Sequence, residues 1–148
     1  MSGDERFSLA AYAVVRNERS DVLLTRRRDD GDWVLPGGSV EQGEAPWEAV
    51  AREVREETGL EIGEVHLVGL YVKRSERDLV LVFRAGVTGG TPRSSGERDR
   101  VVFVDPDRLP ARTSGRDRER IADAVGAAQE PVLVVQPSSD DQPPPGTR

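Results

Sequence analysis

At 148 residues and 16.2 kDa, the chain suits one domain with a core large enough to fold alone, and 36% hydrophobic with 32% charged residues is a soluble globular composition. No apolar run nears the ~20 residues of a membrane helix, and the absence of cysteine excludes a disulfide framework, a thiolate zinc site and a cysteine nucleophile. A net charge of −6 argues against extended nucleic-acid binding, and the acidic, mixed start MSGDERFSLAAYAVV is not a signal peptide, so the cytoplasm is the expected location.

Residues 1–6 read as a loose leader. Phe7–Val15 is apolar, with Tyr12 inside it, and predicts a buried strand; the polar turn Asn17–Ser20 leads to a second, Asp21–Arg27. Asp29 to Asp32 form a loop, Trp33–Leu35 a short strand, and Pro36-Gly37-Gly38 a tight turn. Ala45–Thr58 is helical. Pro46 suits the first turn, where its missing N–H is no loss, and Gly59 suits the left-handed position past the end. At about 100° per residue, Trp47, Val50, Ala51 and Val54 share one stripe, expected to pack on the sheet with Trp47 in the core.

Strands follow at Val65–Val72, Leu79–Val87 and Val101–Val104, with the polar loop Thr88–Arg100 between the last two. A second helix is expected from about Arg116 to Ala128, with Ile121, Val125 and Ala128 on its apolar face. Pro131–Gln136 reads either as a final strand or as an extension of the helix packing. The tail 137–148 has the composition of disorder, leaving 1–136 as the folded domain. This order implies a mixed sheet with helices on its faces. His66, Trp33 and Tyr12 read as packing or surface residues rather than ligands.

The chemistry concentrates in Gly38–Leu60, GSVEQGEAPWEAVAREVREETGL. Its helix carries Glu53, Glu56 and Glu57 at spacings of three and four, where side chains are neighbours and like charges repel. Without a cation, at least one carboxyl should have a raised pKa. Magnesium, a hard cation with oxygen ligands and a usual partner of substrate phosphates, suits such a site. Glycines at 37 and 38 let backbone carbonyls approach. Water attack on phosphorus is the reaction most readily built there, with a spare glutamate taking the proton. A Glu/Arg helix face is usually a solvated surface, with pairs such as Glu48–Arg52 and Arg52–Glu56 as plain ion pairs; the spacing of the whole run is what sets this segment apart.

That spacing, G-x5-E-x7-R-E-U-x-E-E-x-G-U, resembles the box of Nudix hydrolases (MutT-like) at Gly38, Glu44, Arg52, Glu53, Val54, Glu56, Glu57, Gly59 and Leu60. The segments WVLPGG and FVDPDRLP resemble the family's flanks. The resemblance spans roughly 7–135 and implies an α/β/α sandwich with a mixed sheet that hydrolyses a nucleoside diphosphate linked to another group. It implies Mg2+ or Mn2+ on Glu53, Glu56 and Glu57, with a Gly37 or Gly38 carbonyl. It also implies that Arg52 orients the glutamates, that Glu44 and Gly59 hold the loop and helix geometry, and that a further catalytic glutamate comes from a later loop. Glu97 is the candidate for that role, and Arg26 is the candidate contact to a substrate phosphate.

The alternative is a non-catalytic nucleotide-binding or regulatory module on the same fold, although such modules generally lose box glutamates and this chain retains them. A diphosphate isomerase of related fold is disfavoured by the missing cysteine. The tyrosine and proline that mark dinucleoside-polyphosphate and ADP-ribose members, about 15–18 residues past the box, are replaced by Ser75-Glu76-Arg77-Asp78. A nucleoside triphosphate or ADP-ribose therefore both stay open. If the chain self-associates, a homodimer is the expected form.

Overall fold

A computed structural model describes residues 6–126 and 130–137. Its elements run β1 (Ser8–Arg16), β2 (Val22–Arg27), β3 (Trp33–Val34), β4 (Gly37–Ser39), α1 (Pro46–Thr58), β5 (Leu60–Ile62), β6 (His66–Lys73), β7 (Asp78–Gly90), β8 (Arg98–Val104), α2 (Gly115–Val125) and β9 (Val132–Gln136). The main sheet has the order β3-β2-β1-β7-β6-β9, with β4 on β1, β5 on β7 and β8 on β2. It is mixed: β1–β7 and β6–β9 are parallel, and the other pairs are antiparallel.

The two sheet faces carry separate cores, because successive residues of a strand point to opposite sides. Ala11, Ala13 and Val15 of β1 join Leu23, Phe83 and the α1 residues Val50 and Val54. Val14 lies among Leu24, Tyr71, Val80, Val82 and the α2 residues Ile121 and Ala124 on the other face. The chain is thus a three-layer α/β/α sandwich. No helix among the described residues is long and apolar enough to cross a membrane.

α1 begins at Pro46 and ends at Gly59, whose φ of 77° is left-handed. A side chain there would also strike the Thr91 carbonyl at 2.4 Å. Glu48 does not pair with Arg52; its carboxylate accepts the Ala45 N–H at 2.9 Å and closes the helix start.

Several expectations need correction. Trp47 is 58% exposed, not core. It sits in the first turn of α1, ahead of the stretch where Val50 and Val54 meet β1. The loop expected at 88–100 is shorter, because β7 continues to Gly90 and β8 starts at Arg98. The glycine turn is itself a strand, with Gly37 and Gly38 paired to Tyr12 and Ala11. Pro131–Gln136 resolves as strand rather than helix packing, parallel to β6. Ala128, most of the proposed leader and the tail from 138 lie outside the described residues.

Candidate functional site

β4 delivers Gly37 and Gly38 to the C-terminal half of α1, and the box is built around that meeting. Glu57 is 4% exposed. One of its oxygens, Oε1, accepts the Gly37 N–H at 3.0 Å, and Oε2 lies 3.5 Å from Arg98 Nη2. A side chain on Gly38 would come within 2.9 Å of the Glu53 carboxylate, so only glycine lets the strand pass this close. A side chain on Gly37 would overlap the Ala11 carbonyl at 2.4 Å. The two glycines seat one carboxylate each.

Arg52 ties the rest together. Its Nε and Nη2 fork the Glu44 carboxylate at 2.6 and 3.0 Å, a bidentate pair of the strong kind. Its Nη1 reaches Glu53 at 3.1 Å and Glu56 at 3.2 Å, and Nη2 also reaches the Ser39 carbonyl at 3.3 Å. Glu44 in turn accepts the Glu41 N–H. Arg52 thereby bonds to the loop before the helix, to the end of β4 and to two of the glutamates at once. The guanidinium holds the Glu44 carboxyl below its ordinary range. Glu56 is the outermost of the three, with its side chain 58% exposed.

Glu57 shows the cost of gathering these acids. Its pKa is pushed up to about 8, first by burial and then by hydrogen bonding to, and repulsion from, Glu53; Arg98 and the Gly37 N–H pull the other way. Among the described residues no three acidic side chains converge on one point; Arg52 and Arg98 each lie against carboxylates of the cluster. The donor set still fits a hard divalent cation: it is all oxygen, glycine leaves a cradle at Glu53, and one buried acid resists ionising without positive charge nearby.

The remaining candidates fall around this cluster. Glu97 is exposed, and its carboxylate lies 3.7 Å from Arg98 Nη1, so one guanidinium separates it from Glu57. Arg26 donates Nε and Nη2 to Asp99 at 2.9 and 2.7 Å and lies over the Trp33 ring at 5.9 Å. Sequence reasoning missed Arg98, whose side chain is only 13% exposed and whose buried Nε has no partner. The sole hint was its place beside Glu97.

A second polar cluster, also missed, supports the glycine strand from the α2 side. Asp117 accepts the Leu35 N–H at 3.4 Å, two residues ahead of Gly37. Arg120 reaches Asp117 at 3.4 Å and Gln136 at 3.0 and 3.2 Å. Its guanidinium lies over the Tyr12 and Tyr71 rings, 5.4 and 5.5 Å from their centres. Burial raises both the Asp117 carboxyl and the Tyr12 hydroxyl.

Comparison with known proteins agrees with this geometry. A family profile described as NUDIX domain matches residues 6–124. A "MutT-like protein" of Streptomyces ambofaciens is 38% identical over 121 residues, covering 82% of this chain and 79% of the relative. A Bacillus subtilis (strain 168) protein, for which the name proposes an 8-oxo-dGTP diphosphatase, is 33% identical over 133 residues and 89% of each chain. The crystal structure of a NUDIX hydrolase from Nitrosomonas europaea overlays with a TM-score of 0.80 at 19% identity, covering 90% of this chain and 81% of that one, which speaks to the fold. With the box residues assembled around Gly37 and Gly38 and the family profile spanning most of the chain, the protein belongs to the Nudix hydrolase family.

Proposed function

We propose that this chain is a divalent-metal-dependent pyrophosphohydrolase acting on a nucleoside diphosphate linked to a further group, with nucleoside triphosphates, oxidised ones included, as the first class to test. The observation that supports it most is the seating of Glu53 and Glu57 against the two glycines of β4. The name of the Bacillus subtilis relative favours the triphosphate class.

Glu53, Glu56 and Glu57 would hold magnesium or manganese, with a Gly38 carbonyl as a further oxygen donor. When bound, such an ion neutralises phosphate oxygens and lowers the pKa of water. The chain's own residues do the rest. Arg52 fixes the Glu44 loop to the helix and orients Glu53. A water oxygen attacks phosphorus, and the P–O bond to the leaving phosphate breaks with its electron pair. Glu53 takes the proton that the water loses, with Glu97 as a second carboxylate facing the reaction from the β7–β8 loop. Arg26, steadied by Asp99, offers Nη1 to a substrate phosphate.

A screen of nucleoside triphosphates, 8-oxo-dGTP, ADP-ribose, dinucleoside polyphosphates and sugar nucleotides with magnesium, read by released phosphate or pyrophosphate, tests this. Turnover of at least one class, lost on chelation, is expected. Tight binding of a nucleotide with no turnover would replace the enzyme with a non-catalytic binding module.

A further inference from the structure

The arginines around the box are held in two different ways. Arg52 forks Glu44 at 2.6 and 3.0 Å, Arg26 forks Asp99 at 2.9 and 2.7 Å, and Arg27 forks Asp29 at 3.0 and 2.7 Å. These are ordinary lengths for charge-assisted bonds. Arg98 forks nothing. Its Nη2 stands 3.5 Å from Glu57 Oε2, and its Nη1 lies 3.4 Å from the Glu97 carbonyl and 3.7 Å from the Glu97 carboxylate. Its Nε is buried and finds no acceptor among the described residues. A buried donor left unpaired makes this position costly for the side chain.

The main chain at Arg98, by contrast, is well anchored. Its N–H donates to the Ser95 hydroxyl at 3.1 Å, and its carbonyl accepts the Ser95 N–H at 2.8 Å. The neighbouring Glu97 carbonyl accepts the Arg28 N–H at 3.0 Å. The register of β2 and β8 then shifts, with Arg26 opposite Arg100 but Arg27 opposite Arg98. Asp99 is the extra residue of this bulge, and the Arg26 fork grips it. A bulge re-aims the side chains beside it, and here Arg98 faces Glu57 of α1. Of its two carboxylates, Glu57 is 5% exposed inside the cluster and Glu97 is 79% exposed, in solvent.

We propose that Arg98 is the counter-cation of Glu57 in the metal-free protein and a competitor for that carboxylate, so that Glu57 binds a divalent ion only when the guanidinium turns away toward Glu97. The proposal rests on the box being a metal site. A guanidinium and a divalent ion repel each other across one buried carboxylate, where the dielectric is low. Arg98 is the contact that gives way. The other oxygen of Glu57 is held by the Gly37 N–H at 3.0 Å, and Arg52 is locked to Glu44. The fraction of molecules in which Glu57 is released then scales the apparent metal affinity. A residue outside the box thereby sets how tightly the box binds its ion.

Mn2+ binding to the full chain without substrate, read from the paramagnetic resonance of the free ion, tests this. Arg98→Gln should bind Mn2+ at least about fivefold tighter than the unaltered chain. Arg100→Gln removes the same charge from an exposed position on the same strand and should stay within about twofold of the unaltered chain. Unchanged or weaker binding by Arg98→Gln overturns the proposal, as does equal tightening by both variants. If none of the three proteins binds Mn2+, the metal reading of the box falls and this proposal with it; binding by the unaltered chain upholds that reading whatever Arg98 does. A second measurement, on the unaltered chain, covers a variant that disturbs Glu57. The Arg98 Nε–H, identified as the nitrogen-15 resonance missing from Arg98→Gln, should exchange with water faster in saturating Mg2+. Exchange that stays the same or slows overturns the proposal.

Discussion

Two arginine–carboxylate clusters, one on each side of β1, use the same groups for opposite ends. On the α1 side Arg52 alone faces four carboxylates, those of Glu41, Glu44, Glu53 and Glu56, and Glu57 lies buried close by. Negative charge is in excess and partly open to solvent. On the α2 side Arg120 meets one carboxylate and one amide, is 4% exposed, and lies over two tyrosine rings. There one buried cation faces one buried carboxylate. Balanced, enclosed charge holds a fold together, whereas surplus charge left accessible keeps a place for a cation and an anionic substrate.

The largest effect that tests this contrast is catalytic. Glu53→Gln removes the proposed proton acceptor and one metal ligand, so turnover should fall by roughly 10²–10⁴-fold while the circular dichroism spectrum is unchanged. Turnover within a few-fold of wild type would remove Glu53 from the mechanism. The corresponding break on the other side is structural: Arg120→Met leaves Asp117 buried without its cation and should cost about 3–5 kcal/mol in urea unfolding. Arg52→Met, at a partly exposed site, should cost no more than about 1 kcal/mol of stability yet lower turnover strongly. Equal destabilisation by the two variants would erase the distinction.

The first of these clusters was legible in the sequence and the second was not, for a physical reason. The box glutamates lie within one helix, where spacing alone makes neighbours, and Pro46 and Gly59 mark its ends by local backbone requirements. Arg120 depends on Tyr12, Tyr71 and Gln136, which only the sheet order brings together. The burial of Glu57 likewise depends on Gly37, 20 residues earlier. Helical spacing placed it beside Glu53 but carried no knowledge of β4. Trp47 fails the other way: its stripe is right, but the first turn of α1 borders a groove lined by Leu67, Leu81 and Phe83 instead of the core.

Glu57 allows a finer test through pH. Its carboxyl holds its proton in the fold up to about 8, against 4.5 ordinarily. Between those values the unfolded chain releases a proton that the folded chain keeps. Stability of the metal-free protein should therefore fall as pH rises through this window, by on the order of 2–4 kcal/mol. Glu57→Gln, with nothing to ionise, should flatten the dependence, and magnesium should restore stability at the alkaline end of the wild-type curve but not of the variant. A wild-type curve that rises across the window would show that Glu57 is ionised in the fold at neutral pH.

The smallest expected effect belongs to Glu97, and it decides how far the site extends. Its carboxylate is exposed and touches the cluster only through Arg98, so its loss cannot disturb the fold much. If Glu97 faces the reacting water, Glu97→Gln should lower kcat about tenfold and leave the magnesium concentration for half-maximal activity unchanged. Arg98→Gln separates the two routes by which Glu97 might act. If the carboxylate works directly, the Arg98 and Glu97 losses should multiply in the double variant. If Glu97 acts only by steering Arg98 onto Glu57, the double variant should be no slower than Arg98→Gln alone.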